Sequence, residues 1–236
     1  MKYLYGPVCS RRLGFSLGLS LTPYKFCNFD CLYCQLGRTT LKVNKRQEYI
    51  KIKDILEELK EFLKNSRDKL NYITLSGFGE PTLNLNIKKL IKEIKKLTHT
   101  PLALITNASL IGSKKLRSEI LGVDLIVPSL NATKKNTFDK INRPSKNIVL
   151  NKIITGLIDL RKEFKGKIYL EIMLVKGIND KISDIKKFKE ITDKINPDKI
   201  QLNTPVRSTT EPNIKPPSKK TLLKIKQIFG KNCEII

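Results

Sequence analysis

Six short runs, SLGLSL, NYITLS, PLALIT, DLIVPSL, KIYLEIMLV and DKIQLNT, recur along this chain with the composition and spacing of β-strands. Between them the period changes. IKDILEELKEFLKN, NIKKLIKEIKKL, KNIVLNKIITGLIDLRKEF and ISDIKKFKEITDKI carry their apolar residues at helical spacing. Strands that alternate with helical crossovers lie parallel, joined by right-handed connections, so the pattern predicts an α/β fold built on a parallel sheet. The tail PPSKKTLLKIKQIFGKNCEII reads as a last helix and a short strand after a Pro-rich connection at residues 205–217. It makes an extension of about residues 206–236 on a core of about residues 15–205. A length of 236 residues suits a single domain, and the sequence carries no internal repeat and no low-complexity linker.

In parallel sheets of this kind ligands gather at the carboxyl ends of the strands, and the distinctive residues of the chain fall there. Cys27 to Cys34 follow the first run, Gly77 to Glu80 the second, Thr106 and Asn107 the third, and Ser129 and Asn131 the fourth. Glu171 and Met173 lie late in the fifth, Asn203 and Arg207 at the sixth. Cys27, Cys31 and Cys34, in KFCNFDCLYCQLG, are three of the five cysteines and have C-x3-C-x2-C spacing. A mononuclear zinc site normally has a fourth Cys or His close by. The only histidine, His99, sits in LTHTP as a helix-end residue, and Cys9 and Cys233 are isolated. Three thiolates without a fourth suit a [4Fe-4S] cluster with one iron left open, because clusters that only carry electrons usually take four. The competing reading is a small zinc or disulfide loop.

Cys27-x3-Cys31-x2-Cys34, with Tyr33 just before the third cysteine, resembles the signature of radical S-adenosylmethionine (radical SAM) enzymes. Gly77-Phe78-Gly79-Glu80-Pro81 resembles their glycine-glutamate motif, and YGPVCSRRLGFSLGLSLTPYKFCNFDCLYCQLGRTT is similar to the archaeal and bacterial iron-sulfur oxidoreductases grouped with wyosine tRNA synthases. The resemblance implies a partial (β/α)6 TIM-like barrel of parallel strands, a [4Fe-4S] cluster and S-adenosylmethionine. It also implies reductive cleavage to a 5'-deoxyadenosyl radical that takes hydrogen from a substrate, with a reductant such as ferredoxin or flavodoxin as partner. Cys27, Cys31 and Cys34 become the iron ligands. Tyr33 lies against the adenine or shields the cluster from water. Gly77, Phe78 and Gly79 hold the ammonium of the cofactor's methionine, while Glu80 fixes that turn or touches ligand. Thr106, Asn107, Ser129 and Asn131 contact the ribose or the carboxylate, or are helix N-caps, for which these residue types are favoured. Met173 and Asn203 complete the implied cofactor contacts. Arg11, Arg12, Arg38, Arg143 and Arg207 stand out against the lysine-rich background as binders of phosphate or carboxylate, or as loop-closing ion pairs.

With 46 Lys and Arg against 22 Asp and Glu the formal charge is +24, which attracts a phosphate backbone. Many of the lysines fall on polar helix faces, where solvation alone accounts for them. No apolar stretch approaches the roughly 18–20 residues of a membrane helix, and clustered cysteines in a chain without a signal-peptide run predict a cytoplasmic protein with no membrane partner. Two substrate classes stay open for the radical chemistry. One is tRNA or another nucleic acid, although wyosine synthases carry a second cluster on three further cysteines and this chain has only Cys9 and Cys233 to spare. The other is a protein, as for the compact enzymes that activate glycyl-radical partners. A non-catalytic iron-sulfur electron carrier is the reading from a different class.

Overall fold

The computed structural model describes residues 1–39 and 41–236. Its strands are β1 (Leu4–Ser10), β2 (Gly14–Ser20), β3 (Tyr72–Ser76), β4 (Leu102–Thr106), β5 (Leu125–Pro128), β6 (Lys167–Met173), β7 (Lys199–Asn203) and β8 (Cys233–Ile235). They form one sheet in sequential order. β2 to β8 run parallel and β1 pairs antiparallel with β2. The helices are α1 (Ile52–Asn65), α2 (Ile87–Leu97), α3 (Lys114–Ile120), α4 (Lys135–Asn142), α5 (Leu150–Glu163), α6 (Ile182–Ile195) and α7 (Lys219–Phe229). Sequential order with same-handed crossovers winds the sheet one way and puts the helices outside it, which is the geometry of an opened barrel with β1 and β8 as its edges.

Periodicity explains the layers. α2 buries Ile87, Leu90, Ile91 and Ile94, one stripe at helical spacing, and turns its lysines outward. In β2, Leu17 and Leu19 join the core between sheet and helices, while Ser16 and Gly18 alternate onto the inner face, where they line a cavity. A smaller cluster, Leu13 with Ala103, Leu125 and Val127, fills the barrel interior near the strands' amino ends. Between β5 and β6 the ladder is short: Leu125 and Ile126 pair with Lys167 and Ile168, and contact resumes only at a Ser129 to Glu171 bridge. Pro128 has no N–H to give at that point.

The six expected runs are β2 to β7, and the expected tail is α7 and β8. The tail extends the sheet, since Ile200, Leu202 and Gln201 of β7 pair with β8. β1 was not anticipated. Gly6 and Pro7 break its pattern, and the register shifts between Tyr5 and Val8, a tolerance that an edge strand has and a central one lacks.

Candidate active site at the carboxyl ends of the strands

In the loop between β2 and α1, residues 21–39 and 41–51 form no regular helix or strand, and several of them line one cavity with residues from the carboxyl ends of the strands. Cys27, Cys31 and Cys34 lie in this loop, unpaired by disulfides and half-buried. Cys34 N–H donates to Cys31 O at 3.0 Å, closing a turn that brings the two together. Each sulfur accepts from a different donor: Cys27 from Asn107 Nδ2 at 3.5 Å and from the Phe29 amide at 3.4 Å, Cys31 from Asn142 Nδ2 at 3.4 Å, and Cys34 from Lys25 Nζ at 3.3 Å.

Burial first, and the neighbouring sulfurs with Glu80 after it, pushes the Cys27 thiol far up. Burial likewise pushes Cys31 up to about 11, against hydrogen bonds from Tyr33 and Asn142 that favour its thiolate. Burial disfavours the charged form of Cys27 and Cys31, so thiolates there call for a bound cation, whose binding deprotonates its ligands. Among the described residues no three His, Cys, Asp or Glu side chains converge closely enough to grip a single ion. The three thiols line one cavity, and three sulfur ligands without a fourth Cys or His fit an iron-sulfur cluster better than a mononuclear zinc site.

The second motif is stitched to the first. Lys25 N–H donates to Phe78 O at 2.6 Å and Glu80 N–H to Phe26 O at 3.1 Å. Glycine is required for this approach: a Cβ on Gly79 would stand 2.0 Å from Phe26 O, and Gly77, at φ +106°, would put one 2.0 Å from Ser20 Oγ. Glu80 is only 1 % exposed. Its Oε1 accepts from Thr82 N at 3.1 Å, Thr82 Oγ1 at 2.6 Å and Thr106 Oγ1 at 2.6 Å, and its Oε2 from Asn107 N at 2.7 Å. Burial pushes its carboxyl up while these bonds pull it down. Glu80 therefore ties the ends of β3 and β4 together and aims Asn107, whose amide also reaches Asn28 Oδ1 at 3.0 Å.

A cavity of about 520 Å³ lies inside the barrel beneath this loop. Cys27, Cys31, Cys34, Tyr33, Gly77, Phe78, Gly79, Glu80, Thr106, Asn107, Ser129, Met173 and Asn203 all line it. Asn131 does not; it is 3 % exposed and acts as a brace, donating to the Tyr33 hydroxyl at 2.6 Å and accepting from Met173 N at 2.8 Å. On the far wall Glu171 accepts from Ser129 Oγ at 3.4 Å and Asn203 Nδ2 at 3.1 Å and pairs with Arg12. The arginines divide. Arg143 closes a loop on Glu211 at 2.6 Å, and Arg38, 73 % exposed, faces Asp30 at 3.8 Å. Arg11, Arg12 and Arg207 line the cavity.

Sequence reasoning missed Lys25, Asn142, Tyr5, Thr74 and Ser76. Lys25, two residues before the first cysteine, was findable as a cation beside a thiolate cluster. Asn142 comes from the end of α4, and Tyr5, whose hydroxyl meets Ser76 Oγ, from the unanticipated β1; no local signal marks either.

Fold and site together define a cofactor-dependent α/β enzyme, and comparison with known proteins names the class. The model of the radical SAM superfamily matches residues 21–188. UPF0026 protein MJ1312 of Methanocaldococcus jannaschii is 40% identical over 98% of this chain and 74% of its own length. A protein of Brachyspira hyodysenteriae named GTPase Obg is 42% identical over 99% of the chain, which spans only 34% of that protein. More distantly, RlmN of Thermotoga petrophila, named a probable dual-specificity RNA methyltransferase, is 28% identical over 86% of the chain and 58% of its own length. Among solved structures, a radical SAM methyltransferase from Sphaerobacter thermophilus superposes with a TM-score of 0.72 at 16% identity, covering 94% of this chain and 65% of that one. TYW1 with a lysine-pyruvate adduct gives 0.66 at 19%, covering 92% and 74%. The chain belongs to the radical SAM superfamily and, within it, to the UPF0026 proteins. It is a radical SAM iron-sulfur enzyme, with the superfamily's [4Fe-4S] cluster and S-adenosylmethionine as cofactors.

Proposed function

We propose that Cys27, Cys31 and Cys34 hold the cluster, that S-adenosylmethionine lies in the cavity beneath it, and that the enzyme acts on RNA. The observation that carries the first two assignments is the arrangement of three sulfurs, each with its own hydrogen-bond donor, in a loop stitched to the GFGEP turn at the mouth of one cavity. When bound, the cluster supplies one electron and S-adenosylmethionine the carbon radical that takes hydrogen from substrate. The protein's part is positioning. Gly77 and Gly79 let the GFGEP turn close on Ser20 and Phe26, Glu80 fixes Asn107, and Asn131 fixes Tyr33, so that Asn107 and Tyr33 present polar atoms at the cavity wall. Ser129, Met173 and Asn203 line the same cavity, Met173 in the apolar cluster against which Tyr33 packs.

RNA as substrate rests on the charge of +24 and on the distant relatives named as RNA methyltransferases. A protein substrate is the alternative reading. The reading includes a flavodoxin or ferredoxin reductant, a cytoplasmic location and a single domain over residues 1–236. No helix among the described residues is long and apolar enough to cross a membrane. The test of the RNA assignment is nucleoside analysis of RNA from a strain lacking the gene: a missing modified nucleoside supports it, and an unchanged profile removes it.

A further inference from the structure

We propose that the cavity contains, apart from the cofactor contacts, a subsite for an oxyanion of the substrate, phosphate or carboxylate, built by Arg11, Arg12 and Thr74. This rests on the reading of the cavity as the active site and names the group the substrate presents there.

Arg11 and Arg12 occupy the turn between β1 and β2, and both line the cavity. The next residue, Leu13, is 5 % exposed and packed on Ala103, Leu125 and Val127, so the turn is anchored inside the barrel rather than hanging in solvent. Arg12 pairs through Nε with Glu171, whose carboxylate is also answered by Ser129 and Asn203. The Arg12 Nε is buried without a hydrogen-bond partner among the described residues, its link to Glu171 being an ion pair alone. Arg11 meets no carboxylate among them, only the amide oxygen of Asn203 at 3.3 Å from Nη2. Two adjacent guanidinium groups thus keep donors to spare, and planar donor pairs of this kind match the oxygens of phosphate and carboxylate.

Thr74 supplies a separate observation. It is 3 % exposed, lines the same cavity from β3, and its Oγ1 has no hydrogen-bond partner among the described residues. A buried hydroxyl left unpaired is unfavourable, and a ligand oxygen removes the deficit. Charge points the same way. The cavity is lined by the cations Arg11, Arg12, Lys25 and Arg207 and by the carboxylates of Glu80 and Glu171. Lys25 serves the Cys34 sulfur, and Glu80 is closed in by Thr82, Thr106 and Asn107. The remaining excess is positive and sits with Arg11 and Arg207, where an anion is drawn in.

Inorganic phosphate and acetate, titrated separately into the anaerobically reconstituted protein with S-adenosylmethionine at constant ionic strength, test this through binding heat and melting temperature. Saturable binding is expected, weakened about tenfold by Arg11→Gln and about tenfold by Thr74→Val, the loss of roughly one hydrogen bond each. Thr74→Val removes an unpaired hydroxyl and is expected to melt at or above the parent, which separates lost binding from lost folding. Tighter phosphate binding assigns the oxyanion to a substrate phosphate and tighter acetate binding to a carboxylate; both outcomes support the subsite. No saturable binding, or binding that survives either substitution, overturns it. Heat and melting are read without turnover, so failure here is distinct from failure to cleave S-adenosylmethionine.

Discussion

Single atoms decide whether the cysteine loop closes over the barrel. Gly79→Ala places a methyl group against Phe26 O, which would be 2.0 Å away. The loop or the GFGEP turn must shift, at a cost of about 1–3 kcal/mol. A lowered melting temperature together with reduced iron content after reconstitution is the expected pair of readouts. Glu80→Gln tests the knot from inside. The carboxylate accepts four hydrogen bonds and donates none, so an amide in its place turns one acceptor edge into a donor facing donors, costing roughly 1–3 kcal/mol. Urea unfolding of the purified variant measures this, and a midpoint equal to the parent's would contradict the bracing role. At this scale the sequence was most legible in setting Cys27, Cys31, Cys34 and the GFGEP turn at one cavity, because a cysteine spacing and glycines compelled by close approach are local and type-specific. Asn131 was legible as a polar strand-end residue but not as a brace: which way an amide turns depends on Tyr33 and Met173, far away in the chain.

Elements carry the next level. The β1–β2 hairpin both edges the sheet and plugs the barrel through Leu13, a packing that neither Gly6-Pro7 nor the polar CSRR turn announces in sequence. Leu13→Ala empties a site among Ala103, Leu125 and Val127 and is expected to cost about 2–5 kcal/mol, read by denaturant unfolding; a cost under about 1 kcal/mol would mean that the hairpin does not plug the barrel. β2 to β7 were readable as short apolar runs rich in β-forming residues, and the longer helices by their helical period. α3 and α4, with 7 and 8 residues, are too short for a period to rise above their polar composition. α3 is clasped to α5 by Arg117, whose Nε and Nη2 donate to Glu163 at 2.9 Å each. The hydrogen bonds to the Arg117 guanidinium hold the Glu163 carboxyl below the usual carboxylate range. A depressed native value stabilises the fold above the unfolded value, about 4.3, and that contribution is lost as pH falls through the native value. Melting curves of the parent and Glu163→Gln are therefore expected to differ by a constant amount near neutrality and to converge on acidification; a gap that widens below pH about 4 would reverse the sign.

For the whole molecule the charge of +24 sets how a substrate arrives. Association with a folded RNA is expected to weaken by orders of magnitude between roughly 50 and 200 mM salt, measured by filter binding, whereas a salt-insensitive affinity would leave the lysines as a solvated surface. The alternation of strand and helix was enough to predict the parallel sheet, because it follows from chain connectivity, while the opened barrel was implied by the family resemblance, and strand-end placement marked where the candidate site lies. The cavity's far wall was not foreseen as a unit, since it joins Arg11 and Arg12 to Glu171 and Asn203 across most of the sequence. The most direct measurement of all is anaerobic reconstitution with iron and sulfide, reduction in the presence of S-adenosylmethionine, and chromatography for 5'-deoxyadenosine, beside Cys31→Ala. Product from the parent and none from the variant is the predicted result; equal product from both, or none from a parent that has bound its irons, would contradict the assignment of Cys27, Cys31 and Cys34 as the ligands of a cluster that cleaves S-adenosylmethionine.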